Sequence, residues 1–419
     1  MNSLHQRRIP ALLAIGLSGA LTLSACGGGF EEDGAADGGD APASAEGTAS
    51  LVMLIASSGE AETTSVEEAA AAWAEESGNE VEVRVAADIG QELAQGFAGG
   101  NPPDIFYLDG AVFAEQAETG NLYAYEAEEN NDFYEALRDA FTYDDKQWCA
   151  PKDFSTLALQ INNASWEAAG LTEADVPTTY DELATVAETL TTDDQVGLGL
   201  SSGIDRIGAF VVGNGGWWLN EDASEAQGTS DPVIAGLEYS KENLAAGSFA
   251  FASEIDSGWG GEAFGTEKAA MTIEGNWIRG AMNADFPDLD YTVAELPEGP
   301  EGPGTLLFTQ CWGVAQASGA QTQAVELINF LTTPEQQMVF AEDFGVMPSR
   351  QSAAEDYKSA FPENEAFING GEYGRGPINA PGMGQVVADL NSQLEGLSGA
   401  NVESVMEDFN TNAEAVLGE

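Results

Sequence analysis

Between residues 51 and 118 short apolar runs alternate with helical patterns, and no other feature of the chain limits its fold so tightly. Residues 51–55 read as a strand. After the loop Ser57-Ser58-Gly59-Glu60, Val66, Ala69, Ala70 and Trp73 fall at i, i+3, i+4 and i+7, the stripe of a helix. Val81, Val83 and Val85 alternate as a second strand, a helix follows around 91–97, and Pro102-Pro103 breaks the chain. Residues 105–108 form a third strand and 111–118 a third helix. This succession predicts an α/β fold with a parallel sheet covered by helices. Binding sites on such sheets lie at the carboxyl ends of the strands. Glu60 and Asp109, each just past a strand end, therefore stand at the mouth of a candidate site.

Later signals concern packing. Thr179-Tyr180-Asp181-Glu182 and Thr333-Pro334-Glu335-Gln336 read as capping boxes opening helices, the second with Pro at the first helical position. The helix before the second carries Ala324, Leu327, Ile328 and Leu331 at helical spacing. No internal repeat, heptad run or second apolar segment long enough to span a bilayer is present. At 419 residues the chain exceeds one typical domain, so two lobes are expected.

The first 50 residues read differently. Residues 5–8 are His-Gln-Arg-Arg and the run 9–23 is apolar but too short for a spanning helix, so 1–25 is expected to be a signal peptide. The run ends in Leu23-Ser24-Ala25-Cys26, which resembles the lipobox of bacterial lipoproteins, where cleavage before the Cys frees it for a diacylglycerol anchor. Residues 26–50 then form a lipidated Cys26 and a polar, flexible tether. Anchoring at the outer face of the cell membrane is the expectation. Cys149 and Cys311, 162 positions apart in a chain read as exported, are expected to pair, with two separate buried thiols as the alternative.

Charge and the missing histidine narrow the chemistry. With 13 basic and 71 acidic residues the formal net charge is −58, which repels phosphate backbones and excludes nucleic acid as a partner. Neutral or cationic ligands are favoured; adaptation of the surface to a saline or alkaline medium is the alternative cause of the acidity. The one histidine, His5, lies in the leader, so the mature chain would lack histidine nucleophile activation, general bases and metal ligands. No cofactor and no metal site are expected. Paired carboxylates could serve a glycoside hydrolase, but among 71 acids no spacing singles out a pair.

Tryptophan supplies the binding signal. Trp217-Trp218 follow Gly213-Asn214-Gly215-Gly216, Trp259 sits in Ser257-Gly258-Trp259-Gly260-Gly261, and Trp277 follows Glu274-Gly275-Asn276. An indole beside glycines belongs on a loop, where ligand contacts gather. Sugars present C–H faces to indoles and hydroxyls to carboxylates and amides, so Trp with Asp, Glu and Asn suits a saccharide pocket.

Several stretches taken together resemble the extracellular solute-binding proteins of bacterial ABC sugar importers, the family that includes the maltose-binding type. They are Asn101-Pro102-Pro103-Asp104-Ile105 with Gly120-Asn121-Leu122; Asp145 to Pro151 with Asn162, Ala169-Gly170-Leu171 and Pro177 to Leu183; Phe264 to Met271 through Glu274-Gly275-Asn276-Trp277; and Phe330 to Gln337 with Met347-Pro348-Ser349-Arg350. The resemblance implies a two-lobed periplasmic-binding-protein fold with a hinge between lobes, lobe 1 at about 51–155 plus about 310–350 and lobe 2 at about 156–309 plus about 351–419. It implies a monomeric sugar receptor, not an enzyme, that serves membrane permease subunits. By position it assigns ligand contacts to Glu60, Asp109, Asp153, Phe154, Ser155, Trp217, Trp259, Asn276, Trp277 and Arg375. Gln160-Ile161-Asn162 departs from the family pattern, in which a Tyr precedes the Asn. A receptor of the same fold for a polyamine or peptide stays open as the alternative.

Overall fold

The computed structural model describes residues 48–418. The leader, Cys26 and the tether up to residue 47 lie outside the described residues. The alternation at the start of the chain folds as its periods demand: β1 (Ser50–Ile55), α1 (Glu60–Ser77), β2 (Glu80–Val85), α2 (Ile89–Gly99), β3 (Ile105–Asp109) and α3 (Gly110–Glu118). β1 pairs in parallel with β2 and with β3. α1 buries Val66, Ala69, Ala70 and Trp73 against the sheet and ends at Gly78, whose φ of 75° is a left-handed value that glycine adopts without strain.

A small hairpin, β4 (Thr142–Tyr143) and β5 (Lys146–Gln147), precedes the 13-residue strand β6 (Ala150–Asn162). Five strands complete the set: β7 (Val196–Leu200), β8 (Phe249–Phe251), β9 (Ala269–Gly275), β10 (Tyr291–Ala294) and β11 (Leu307–Val314). Their order is β2-β1-β3-β11-β6-β9-β7-β8, with β10 on β6. The parallel arrangement expected from the start of the chain holds for the first three strands, whereas β11 runs antiparallel to both β3 and β6.

β6 belongs to both halves of this sheet. Its residues up to Thr156 pair with β11, Leu157 to Ile161 pair with β9, and Leu159 to Asn162 with β10. Apolar cores form on each side. One gathers Leu51, Met53, Tyr107 and Trp312 under α1 and the helix Gln321–Leu331; another gathers Leu159, Leu198, Phe210, Phe249 and Phe409 around β7. Between them a third cluster joins Tyr134, Phe154, Ala158, Phe264, Leu307, Met347 and Phe367 where the halves meet.

Both helices expected to open on a capping box take their Thr cap, but neither forms a reciprocal box, the Thr333 amide donating to the Phe330 carbonyl instead. Thr333 accepts from the Gln336 amide with Pro334 at the first helical position. Thr179 accepts from the Glu182 amide, but Glu182 reaches back to the amide and hydroxyl of Thr178, one residue further than a reciprocal box requires. Cys149 and Cys311 are bonded, with Cα atoms 5.6 Å apart, inside the core that contains Phe106, Leu108 and Phe113. Among the described residues no helix is long and apolar enough to cross a membrane.

Candidate ligand-binding site

The carboxyl end of β3 carries a row of polar side chains. Asp109 pairs with Gln310 of β11, and Gln310 with Asp153 of β6, so the three stand side by side on one sheet face. Directly opposite residues on neighbouring strands share a face, which is why the row forms. Behind it Lys152 is buried, with its ammonium bonded to Asp153, 3.2 Å from Glu62 of α1 and 4.4 Å from the centre of the Tyr107 ring. Burial pushes the Glu62 carboxyl up, but Lys152, two bonds from Ser58 and one from Tyr107 outweigh it and hold it below the carboxylate range. Asp153 goes the other way: burial raises it and the attraction of Lys152 only partly offsets that. Glu60 stands exposed on the first turn of α1.

Two residues further along the same strands the surface turns aromatic. Trp277, 38% exposed, follows β9 and meets Phe308 of β11 edge to face with centroids 5.0 Å apart. A Cβ on Gly275 would lie 2.2 Å from the indole, so only glycine lets the ring settle there. Glu274, fully buried, accepts from the Trp277 indole nitrogen at 3.1 Å and from Arg206 at 2.5 Å, and the Arg206 guanidinium lies 5.3 Å from the Trp277 ring centre. Ser155 and Asn276 join this surface, the Ser155 hydroxyl accepting from the Asn276 amide at 3.0 Å. Asn276 also donates to the Gly345 carbonyl at 3.0 Å.

Two further charged side chains, Asp205 and Arg375, are exposed. Asp205, on the first turn of the helix Ile204–Gly213, is raised by the protein around it, lowered by Arg206 and raised again by the Asp109 carboxylate. Its side chain is nevertheless open to solvent. Arg375 similarly reaches solvent, yet the surrounding protein lowers its guanidinium, against the pull of Glu221 and Asp139. Its guanidinium lies 5.3 Å from the Trp217 ring centre. The backbone around it pairs with Thr305 and Leu307, where the chain passes between the halves.

The ten residues assigned by resemblance thus separate. Asp109 and Asp153 share one row, Ser155, Asn276 and Trp277 the aromatic surface, and Trp217 and Arg375 a third contact. Phe154 is a correction: it is 2% exposed and packs on Tyr134 at 5.0 Å in the central cluster, so it supports the cleft from beneath and cannot touch a ligand. The reason is alternation, since Asp153 takes the polar face and the next side chain must take the other. Trp259 is half-buried, with its ring on Gly261 and the central cluster. Trp218 is core. The sequence reading missed Gln310, Phe308, Glu62, Lys152, Asp205, Arg206 and Glu274. Asp205 and Arg206 had a local signal, the strand, loop and helix start that also marked Glu60 and Asp109, and Glu274 stood in the stretch that leads to Trp277.

Two α/β halves that share β6, with a polar row and a partly exposed tryptophan beside it, define a two-lobed binding protein. The family model described as bacterial extracellular solute-binding protein matches residues 68–367, and the chain belongs to that family. The fold is similar to that of the cyclic α-maltosyl-1,6-maltose binding protein from Arthrobacter globiformis, at 20% identity and a TM-score of 0.79 over 88% of this chain and 99% of that one. It is similar to an ABC transporter solute-binding protein from Thermotoga lettingae bound with α-D-tagatose, at 20% identity and 0.73 over 88% and 100%. UgpB from Mycobacterium tuberculosis, in complex with glycerophosphocholine, aligns at 18% identity and 0.75 over 89% and 99%. No curated protein matches the sequence.

Proposed function

We propose that the protein is a lipid-anchored extracellular receptor that captures a sugar between its lobes and hands it to the permease of an ABC importer. The observation that carries this reading is Trp277, an indole left 38% exposed yet held by Glu274 and Phe308 beside acceptor side chains. A fixed aromatic face suits the C–H face of a pyranose, and Asp109, Gln310, Asp153 and Asp205 suit its hydroxyls. Trp217, Arg375, Asn276 and Ser155 extend the surface, with Glu60 and Trp259 at its margins. In this reading Cys26 is the anchor, residues up to about 50 are the tether, and the lobes divide at about 155, 310 and 350. The receptor works as a monomer without cofactor or metal and leaves its ligand intact.

Closure follows from differential affinity, because a ligand favours the closed arrangement only by what it gains there over the open one. A second reading, capture of a cationic solute such as a polyamine, is favoured by Asp205 and Asp109 standing within electrostatic reach of each other across the cleft. Thermal unfolding of residues 47–419 against mono- and oligosaccharides and spermidine separates the two, since ligand at 100 times its Kd adds about 2.7 kcal/mol of stability. A midpoint raised by one sugar that is recovered intact supports the sugar receptor. A rise with spermidine alone, or hydrolysis of a hit, overturns it.

A further inference from the structure

Lys152 and Asp153 are consecutive residues of one strand, and consecutive side chains of a regular strand point to opposite faces. Here they are bonded to each other. The pairing of β6 with β11 explains this. Gln310 faces Asp153 and Cys311 faces Pro151, so Lys152 is an extra residue with no partner, a β-bulge. The bulge resets the alternation: Asp153 joins the face of Gln310, Asp109 and Tyr107, and Lys152 bends to that same side.

The bulge is held on every side. The Thr309 hydroxyl donates to the Asp153 carbonyl at 2.7 Å, Gln337 Nε2 to the Lys152 carbonyl at 3.2 Å, and the Ser349 hydroxyl to the Pro151 carbonyl at 2.8 Å. Cys149, just before β6, is bonded to Cys311 on β11 and ties the strands together beside the bulge. Side-chain bonds to three consecutive carbonyls, with a disulfide close by, indicate an arrangement the fold maintains.

We infer that Lys152 is a positioning residue of the binding site: without reaching the ligand, its ammonium holds the Asp153 carboxylate in the row with Gln310 and Asp109. This rests on the reading that Asp153 contacts the ligand. The charged and titratable groups around Asp153 are Lys152 on its own strand, Glu62 on α1, and Tyr107 and Asp109 on β3; Gln310, Thr309 and Gln337 are neutral. Burial raises the carboxyl, Lys152 lowers it and Glu62 raises it, so the two charged neighbours act with opposite signs. Removing each must move the group in opposite directions.

The test begins without ligand. Carboxyl carbon NMR titration of Asp153, assigned with D153N, is compared in the parent, K152M and E62Q proteins. The midpoint is expected to rise by about one unit or more in K152M and to fall in E62Q. Loss of folding cannot produce that opposite pair of shifts, and E62Q decides the outcome if K152M does not fold. Unchanged midpoints overturn the inference. With a sugar that binds the parent, K152M should weaken binding about tenfold at pH 7, with the loss shrinking as pH rises, and should add nothing in the D153N background. Equal losses with and without Asp153 overturn the positioning role. If D153N keeps full affinity, the placement of Asp153 in the site is wrong, and the midpoints still judge the coupling separately.

Discussion

The Trp277 indole nitrogen and Arg206 Nη2 bond the same oxygen of Glu274, at 3.1 and 2.5 Å. A fully buried acid therefore fixes the orientation of an exposed ring, and the two residues should fail in different ways. Trp277→Ala should abolish the ligand-induced rise in unfolding midpoint while costing about 1–2 kcal/mol of stability, because the ring is only partly buried. Glu274→Ala should cost about 3–5 kcal/mol, since it strands the Arg206 charge in the interior. Urea unfolding of both variants, with and without a bound sugar, checks the contrast.

The disulfide closes a long loop inside one core, with both sulfurs' residues 0% exposed. Replacing Cys149 and Cys311 by Ala should lower stability by about 2–5 kcal/mol. In the native protein, reductant and alkylating agent should leave both sulfurs unmodified until denaturant is added. Mass measurement of the alkylated chain reads this directly.

Acid should first stabilise the protein. Asp139, Asp153 and Asp205 are each raised above the carboxylate range, chiefly by the protein around them, so the folded state binds their protons before the unfolded state does. Stability therefore rises as pH falls from neutrality toward the ordinary Asp value. Glu62 has the opposite sign: burial raises it, but Lys152 and its hydrogen bonds hold it low, so its contribution is present above the unfolded value and is lost as pH falls through the folded one. Unfolding midpoints between pH 7 and 3 should pass through a maximum on the acid side of neutral. A midpoint that falls steadily from pH 7 contradicts this.

Gly299→Ala should destabilise by about 3 kcal/mol, because its Cβ would lie 2.2 Å from the Gly213 carbonyl oxygen and backbone there cannot yield cheaply. Gly280→Ala, with open space at the Cβ, is the control and should be near neutral. Denaturant midpoints of the pair decide it.

The two kinds of strand explain what the sequence disclosed. β1, β2 and β3 were legible because helices of clear period separate them. β6 and β9 were not, because they are buried along nearly their whole length, and β11 alternates only from Leu307 to Gln310 before it too is buried throughout. Phe308 and Gln310 were hidden with β11, while Asp153 and Ser155 of β6 were reached only through the family resemblance. The tryptophans beside glycines separated by neighbourhood: Trp277 and Trp217 stay partly open, while Trp218 sinks into the core although it shares the same run of glycines. Gly213 itself, read as part of a loop, ends a helix and is small because a Cβ there would lie 2.0 Å from the Tyr180 hydroxyl. Lys152 was unreadable for a different reason, since a bulge has no signature in a single strand.

β11 lies between β3 and β6 in space but long after both in the chain. During synthesis the first three strands must therefore emerge, and then wait through most of translation, before the strand that joins them to the rest is made. Cys149 waits as long for Cys311. The order of strands along the chain works against early folding of the first half, which keeps an unfinished polypeptide open and threadable until nearly all of its sheet has been synthesised.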